Sequence, residues 1–200
     1  MNQVIYNEVI AKNHKLYHIT EFDNLSSILK NGLYSLKKIK ESNISPKYIS
    51  SEDSRSIDAY WGLDKYVRLA YTYQYDMLAA AIYNGTLQNP VIICIRPEVL
   101  LDKVNIKYTT MNAISREALL YSKNDKFSID FEKIYAGRSR NTMSEENKKA
   151  RQSEILVEDC IETSYIIGIG IPLNKEYVNT INNIKIVKVD THNLINGDFK

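Results

Sequence analysis

The stretch LYHITEFDNLSSILKNGL, residues 16–33, changes its hydrophobic period halfway along, and that change decides the fold class. Residues 16–20 read as a short strand. Beyond Thr20, the side chains Phe22, Leu25, Ile28 and Leu29 fall on one side of a 3.6-residue spiral, which predicts a helix. Thr20 with Asp23 resembles a capping box at its start, and Asn31-Gly32 supplies a left-handed stop. Further along, residues 36–60 are polar and Ser-rich and read as a loop carrying short helical turns. A strand is expected at 66–73, and a short helix at 76–83 closed by Asn84-Gly85. Residues 90–96 (PVIICIR) form a continuous apolar run and hence a buried strand. Residues 97–101 read as a single turn, 111–122 as a helix, and 133–151 as a loop ending in a short helix. Strands are expected at 152–158, 164–171 and 183–189, with a short helix around 173–180. Strands and helices mix without the βαβ alternation of a parallel Rossmann sheet, and neither GxGxxG nor a P-loop occurs. The expected class is α+β, with a strongly bent sheet as its core. No repeat or Pro/Gly-rich linker divides residues 1–200, so one domain is expected.

Composition narrows the function classes. An apolar fraction of 44% with 25% charged residues suits a globular chain rather than a disordered one. The net charge of +2 means that attraction to nucleic acid must come from local clustering. The sequence has no apolar run long enough to cross a bilayer, and the stretch MNQVIYNEVIAKN lacks the core of a signal peptide. A cytoplasmic chain with no membrane partner is expected. Cys94 and Cys160 lie in apolar surroundings without CxxC or metal spacing and are expected as buried free thiols. His14, His18 and His192 are too scattered for a metal cluster, so no metal is expected. Fifteen tyrosines, against four phenylalanines and one tryptophan, suit stacking on bases or a nicotinamide but also an AT-rich genome.

Four constellations carry candidate chemistry, each with a plainer reading beside it. In KKARQSEILVED, residues 148–159, Gln152 and Glu154 stand two apart at the start of an expected strand and would share a face. That pattern fits an ordinary solvent-facing alternation. It equally fits a Gln-x-Glu pair in which the carboxylate stabilises an oxocarbenium-like ribose during ADP-ribose transfer from NAD, while the amide orients the acceptor. His18, with Thr20 on the same face, is either a satisfied core histidine or a ligand for a ribose or nicotinamide amide. Arg55, in the polar stretch SSEDSRSID, is either a surface charge or a bidentate phosphate clamp. Between Lys133 and Arg151 six cations (Lys133, Arg138, Arg140, Lys148, Lys149, Arg151) face two glutamates. Such a run is a solvated face or a grip on a phosphate backbone.

Together these stretches resemble the DarT family of DNA ADP-ribosyltransferases, toxin halves of bacterial toxin–antitoxin pairs. LYHITEFDNLSSILKNGL is similar to its opening strand and helix, YVRLAYTYQYDMLAAAIYNG to its central strand and Met-Leu helix, and KKARQSEILV to its R-Q-x-E-[FI]-L-V segment. The three occur in the family's order, over about residues 16–171. The resemblance implies a single-domain ADP-ribosyltransferase-like fold with a bent, mainly antiparallel central sheet and surrounding helices. It implies NAD as co-substrate, single-stranded DNA as acceptor, and a macrodomain antitoxin that reverses the modification. It matches Glu154 to the catalytic glutamate, His18 to the NAD-binding histidine, and Thr20 and Asn24 to polar positions flanking the NAD cleft. The family's essential arginine falls by location on Arg55, with Arg68 as rival. Tyr71 is a candidate to pack the nicotinamide. Gln152, Arg151, Lys148, Lys149, Arg138 and Arg140 would position the strand. Where relatives carry VPFYF this chain has VRLAY, and where they often carry Pro before Met-Leu it has Asp76; both changes fall beside the cleft. Thymine, guanine or an RNA base therefore stay open as acceptors, as do a protein side chain and an inactive nucleic-acid-binding module.

Overall fold

A computed structural model describes residues 2–12, 14–73, 76–125, 129–136, 143–177 and 184–190. Among these residues ten strands carry the architecture: β1 (Leu16–Glu21), β2 (Leu33–Tyr34), β3 (Tyr66–Ala70), β4 (Pro90–Ile95), β5 (Ile106–Thr109), β6 (Leu120–Ser122), β7 (Glu154–Glu158), β8 (Cys160–Ile161), β9 (Ile166–Pro172) and β10 (Lys185–Val189). Eight of them form one sheet in the order β10-β9-β4-β1-β3-β7-β5-β6, and β2 pairs with β8 in a small second sheet. Among the described residues every strand pairing is antiparallel except β9 with β10. The helices are α1 (Asn2–Ala11), α2 (Leu25–Asn31), α3 (Leu36–Glu41), α4 (Glu52–Tyr60), α5 (Asp76–Tyr83), α6 (Val99–Asp102), α7 (Phe131–Tyr135) and α8 (Glu145–Ala150). The mixed, mainly antiparallel α+β class agrees with the sequence reading.

The core lies on one face of the sheet because the strands alternate. Leu16 of β1, Val67 and Leu69 of β3, Ile93 and Ile95 of β4, and Ile155 and Val157 of β7 all enter one buried cluster. Ile5 and Val9 of α1 and Leu25 and Leu29 of α2 close it from outside. A second cluster, on Leu78, Leu87 and Ile92 with Tyr17 and Ile19 against it, builds the opposite side near α5.

One joint in the sheet is weak by construction. β1 pairs with β4 along its whole length, from Leu16↔Ile95 to Glu21↔Pro90, but meets β3 only at Tyr17↔Ala70. Beyond that pair the strands splay, and a cleft opens between them.

Several local expectations give way to tertiary contacts. Residues 111–122 are not a helix: the Asn112 side chain accepts the Ile114 N–H, the Glu154 carboxylate accepts that of Ala113, and Leu120–Ser122 joins the sheet edge. Side-chain acceptors have taken donors that a helix needs. The strand expected from residue 152 begins at Glu154, because the N–H groups of Gln152 and Ser153 still bond back to Lys149 and Ala150. Thr20 belongs to β1 and caps nothing; a 3-10 turn at Phe22–Asn24 precedes α2 instead. The first strand–helix unit does end at Gly32, whose φ of 89° is accessible to glycine. The region expected as a loop over 36–60 is mostly the two helices α3 and α4, each capped by a serine side chain, Ser35 and Ser51. Residues 173–177 show only a turn, the remainder of the helix expected there lying outside the described residues. Cys94 and Cys160 are free but half-buried rather than fully enclosed.

Candidate active site

Strand register brings the charges together. In the β3–β7 ladder Ala70 faces Glu154 and Arg68 faces Leu156. Val67, Leu69, Ile155 and Val157 point into the core, so Arg68 and Glu154 share the other face as diagonal neighbours, a spacing a long side chain spans. Arg68 Nη1 lies 3.1 Å from Glu154 Oε2 and 3.4 Å from Oε1, and its Nη2 donates to Asp58 Oδ1 of α4. The Ala113 N–H donates to Glu154 Oε2 at 2.9 Å. Behind the carboxylate, the Glu154 N–H donates to Thr109 Oγ1 at 2.8 Å, and that hydroxyl donates on to the Met111 carbonyl at 2.5 Å. The side chains of Glu154 and Asp58 are only 5% and 10% exposed, so this charged group sits in a poorly solvated place. Burial pushes the Asp58 carboxyl above the usual aspartate range; Glu154 and Asp64 add to the rise, and the Arg68 guanidinium opposes it.

His18 closes the splayed joint. Its Nδ1 lies 3.0 Å from the Arg68 carbonyl, which can only accept, so Nδ1 carries the proton. Burial lowers the imidazole pKa, with the carbonyl bond opposing, which favours a neutral ring whose Nε2 is an acceptor.

The cleft beside these groups has a volume of about 260 Å³. His18, Thr20 and Asn24 line one wall, Asp58, Arg68 and Glu154 another, and Ile19, Leu78 and Leu87 make an apolar end. Residues 46–50 form its outer lip. Asn24 ties that lip down: its Nδ2 donates to the Lys47 carbonyl and to Thr20 Oγ1, both at 2.9 Å, and its Oδ1 accepts the Lys47 N–H at 2.8 Å. Glu21 anchors the far end, accepting the N–H groups of Gln88 and Asn89 at 2.9 Å each.

The expected site residues thus separate. His18, Thr20, Asn24 and Glu154 converge on the cleft, though Asn24 is engaged in holding the lip. Arg55 is on α4 but does not line the cleft; its guanidinium stacks on the Tyr48 ring at 4.2 Å and donates to the Ser50 carbonyl, and both of those residues do line it. Arg68 is the arginine that touches Glu154. Tyr71 is fully buried against Phe131 in the core, on the face away from the cleft, so its ring has no access to a ligand there. Gln152, expected on the same strand face as Glu154, sits in the turn after α8, where its Nε2 donates to the Lys148 carbonyl at 3.3 Å. Lys148 and Lys149 are paired with Glu145 and Glu117. Arg151 is 5% exposed at the end of α8, its Nη1 3.6 Å from Met143 Sδ. Arg138 and Arg140 lie outside the described residues. Asp58, Thr109 and Ala113 were not anticipated; Asp58 stood in the quoted SSEDSRSID, but its partners lie on strands that the sequence does not align.

Among the described residues no group of three or more His, Cys, Asp or Glu side chains is placed to hold a metal ion, and no helix is long and apolar enough to cross a membrane. The cleft has the parts for chemistry at a sugar: a fixed carboxylate, a neutral imidazole and an apolar end.

Comparison with known proteins points the same way. The chain is 26% identical over 163 residues to a DNA ADP-ribosyl transferase–DNA ADP-ribosyl glycohydrolase fusion protein of Thermosipho africanus (strain H17ap60334), covering 78% of this chain and 42% of that one. The chain thus spans less than half the length of the curated relative it matches. Its fold is similar to that of Thermosipho africanus DarTG in complex with ADP-ribose (TM-score 0.67, 21% identity, 88% of this chain and 50% of that one). It is also similar to Thermus sp. 2.9 DarT in complex with ADP-ribosylated ssDNA (TM-score 0.65, 20% identity, 80% and 82%). A further similar structure is the same Thermus protein in complex with NAD+ (TM-score 0.56, 19% identity, 80% and 83%). Residues 17–197 match the family described as "ssDNA thymidine ADP-ribosyltransferase, DarT", and the chain belongs to that family.

Proposed function

We propose that this chain transfers ADP-ribose from NAD onto a base of single-stranded DNA, with thymidine, named in the family description, as the first acceptor to test. The observation that carries the reading is the buried Glu154 carboxylate, oriented by Arg68 and the Ala113 N–H at the cleft that His18 also lines. Breaking the bond between ribose C1′ and nicotinamide leaves positive charge on the sugar, and a fixed carboxylate stabilises it. The incoming nucleophile is a ring nitrogen of the base. In thymidine the only ring N–H is N3, so C1′–N3 forms as the N3 proton passes to Glu154. Nicotinamide leaves with the electron pair of the broken bond. His18 Nε2 is suited to accept a hydrogen bond from a ribose hydroxyl or the nicotinamide amide. Thr20 contributes a hydroxyl to the same wall. We assign Arg55, beside the lip on the Tyr48 ring, to the NAD phosphates. The cations of α8 already have glutamate partners, so their part in holding DNA is small.

The joining of a transferase and a glycohydrolase in the Thermosipho relative supports a second proposal, that the modification is reversed by a macrodomain-type antitoxin and that this chain acts as a toxin. NAD and DNA coexist in the cytoplasm, and we assign the activity to that compartment.

The test is mass spectrometry of single-stranded oligonucleotides of varied sequence, RNA and protein after incubation with NAD. The expected result is one ADP-ribose on a thymidine-containing DNA strand, absent with Glu154→Gln. Labelling confined to RNA or protein, or undiminished labelling by Glu154→Gln, refutes the reading.

A further inference from the structure

Arg68 is shared. One side of its guanidinium bonds Glu154 and the other bonds Asp58, whose side chain is only 10% exposed. The three come from different elements, β7, β3 and α4, and all line the cleft. A cation beside Glu154 raises a physical difficulty. The transferred ribose becomes positively charged, so an uncompensated guanidinium would oppose the charge that Glu154 is there to stabilise. Asp58 removes that difficulty. With it, the triad carries one net negative charge; without it, the net charge is zero.

We propose that Asp58 is a positioning residue for ADP-ribose transfer: it holds Arg68 so that Arg68 fixes the Glu154 carboxylate, and it cancels the arginine's charge facing the reacting sugar. This rests on the transfer reaction proposed above. The charged groups facing Asp58 are Arg68 from β3, Glu154 from β7 and Asp64 from the turn after α4. Its backbone carbonyl is occupied by the N–H groups of Leu63 and Asp64, which keeps the end of α4 against the cleft. Asp58 thus acts through Arg68 and not on substrate.

The charge balance makes an unusual demand on a double variant. Asp58→Asn leaves the triad neutral, whereas Asp58→Asn with Arg68→Gln restores one net negative charge. The expected kcat of Asp58→Asn is lower by about 10- to 100-fold, with KM for NAD within about threefold of wild type. The double variant, lacking the arginine's orienting contact, is expected between the two, at several times the kcat of Asp58→Asn. A residue that merely supported the fold would give a double variant no better than the worse single one. Unfolding midpoints within about 5 °C of wild type exclude collapse as the cause.

Carboxylate carbon NMR supplies a readout independent of turnover. Glu154→Gln is expected to lower the pH at which Asp58 titrates, and Arg68→Gln to raise it. An inactive wild-type chain overturns the functional reading; the titrations then still decide whether the three groups act as one unit. An active wild type overturns this proposal alone if Asp58→Asn keeps the wild-type kcat, if the double variant fails to recover, or if the Asp58 titration ignores both neighbours.

Discussion

The two faces of the β3–β7 ladder carry opposite chemistry on the same ten residues. One face packs Val67, Leu69, Ile155 and Val157 into the core, each at 2% exposure or less. The other carries the buried Glu154 and the half-buried Arg68, held by ion pairs and a backbone N–H group. Apolar burial is tolerant of small shifts and sets how stable the strands are. Buried charge tolerates no missing partner and sets where the carboxylate points. A strand pair anchored by the first face is what allows the second to hold charge.

Substitutions on the two faces should therefore separate activity from stability. The largest effect is expected from Glu154→Gln, with transfer to oligonucleotide falling about 1000-fold or more and little change in urea midpoint. Val157→Ala, on the core face and away from the cleft, is expected to cost about 1–3 kcal/mol of stability in urea unfolding, with kcat per folded molecule preserved. If it lowered kcat as much as Glu154→Gln does, the separation of the faces would be wrong. Thr109→Val sharpens the contrast from between them: it leaves the buried Glu154 N–H unsatisfied, costing about 1–3 kcal/mol, and also lowers kcat by loosening the carboxylate's backbone, whereas Thr109→Ser restores both.

A smaller effect is expected from Glu21. Burial raises its pKa, but the N–H groups of Gln88 and Asn89 and nearby Lys47 outweigh burial and hold the carboxyl below the usual glutamate range. Its contribution is therefore complete above that range and is lost as pH falls through the usual value towards the lower folded one. Acid unfolding of Glu21→Gln should show a shallower dependence over that window; an unchanged profile would remove Glu21 from the account. The smallest effect is expected from Lys148→Ala, less than about twofold in transfer to a short oligonucleotide, because an ion pair with Glu145 already occupies the cation.

What could be read in advance was what the chain states locally. Glu154, His18 and Thr20 lie in short stretches with recognisable order, and the apolar runs of β4 and β7 announce buried strands. What could not be read depends on register. Arg68 and Glu154 are 86 residues apart, and Ala113 and Glu154 are 41 apart. Nothing in either stretch says that strand pairing will bring them within hydrogen-bond distance. The misread helix at 111–122 has the same origin, since its Ala113 N–H is claimed by a carboxylate that only the folded sheet delivers. Tyr71 erred by parity: one residue earlier, Ala70 faces Glu154, and alternation turns the tyrosine into the core. Arg55 falls before the central strand and Arg68 within it, and the register that sets Arg68 beside Glu154 is what would have ranked them.

The lone Tyr17↔Ala70 pair between β1 and β3 leaves a seam in the sheet. Hydrogen bonding runs from β1 through β4 to β9, with one register shift at Cys94/Ile95, and from β3 through β7 to β5, yet barely crosses between the two groups. Along that seam the His18 imidazole takes the Arg68 carbonyl that strand pairing leaves over, so the gap in the ladder is also what gives the cleft its width.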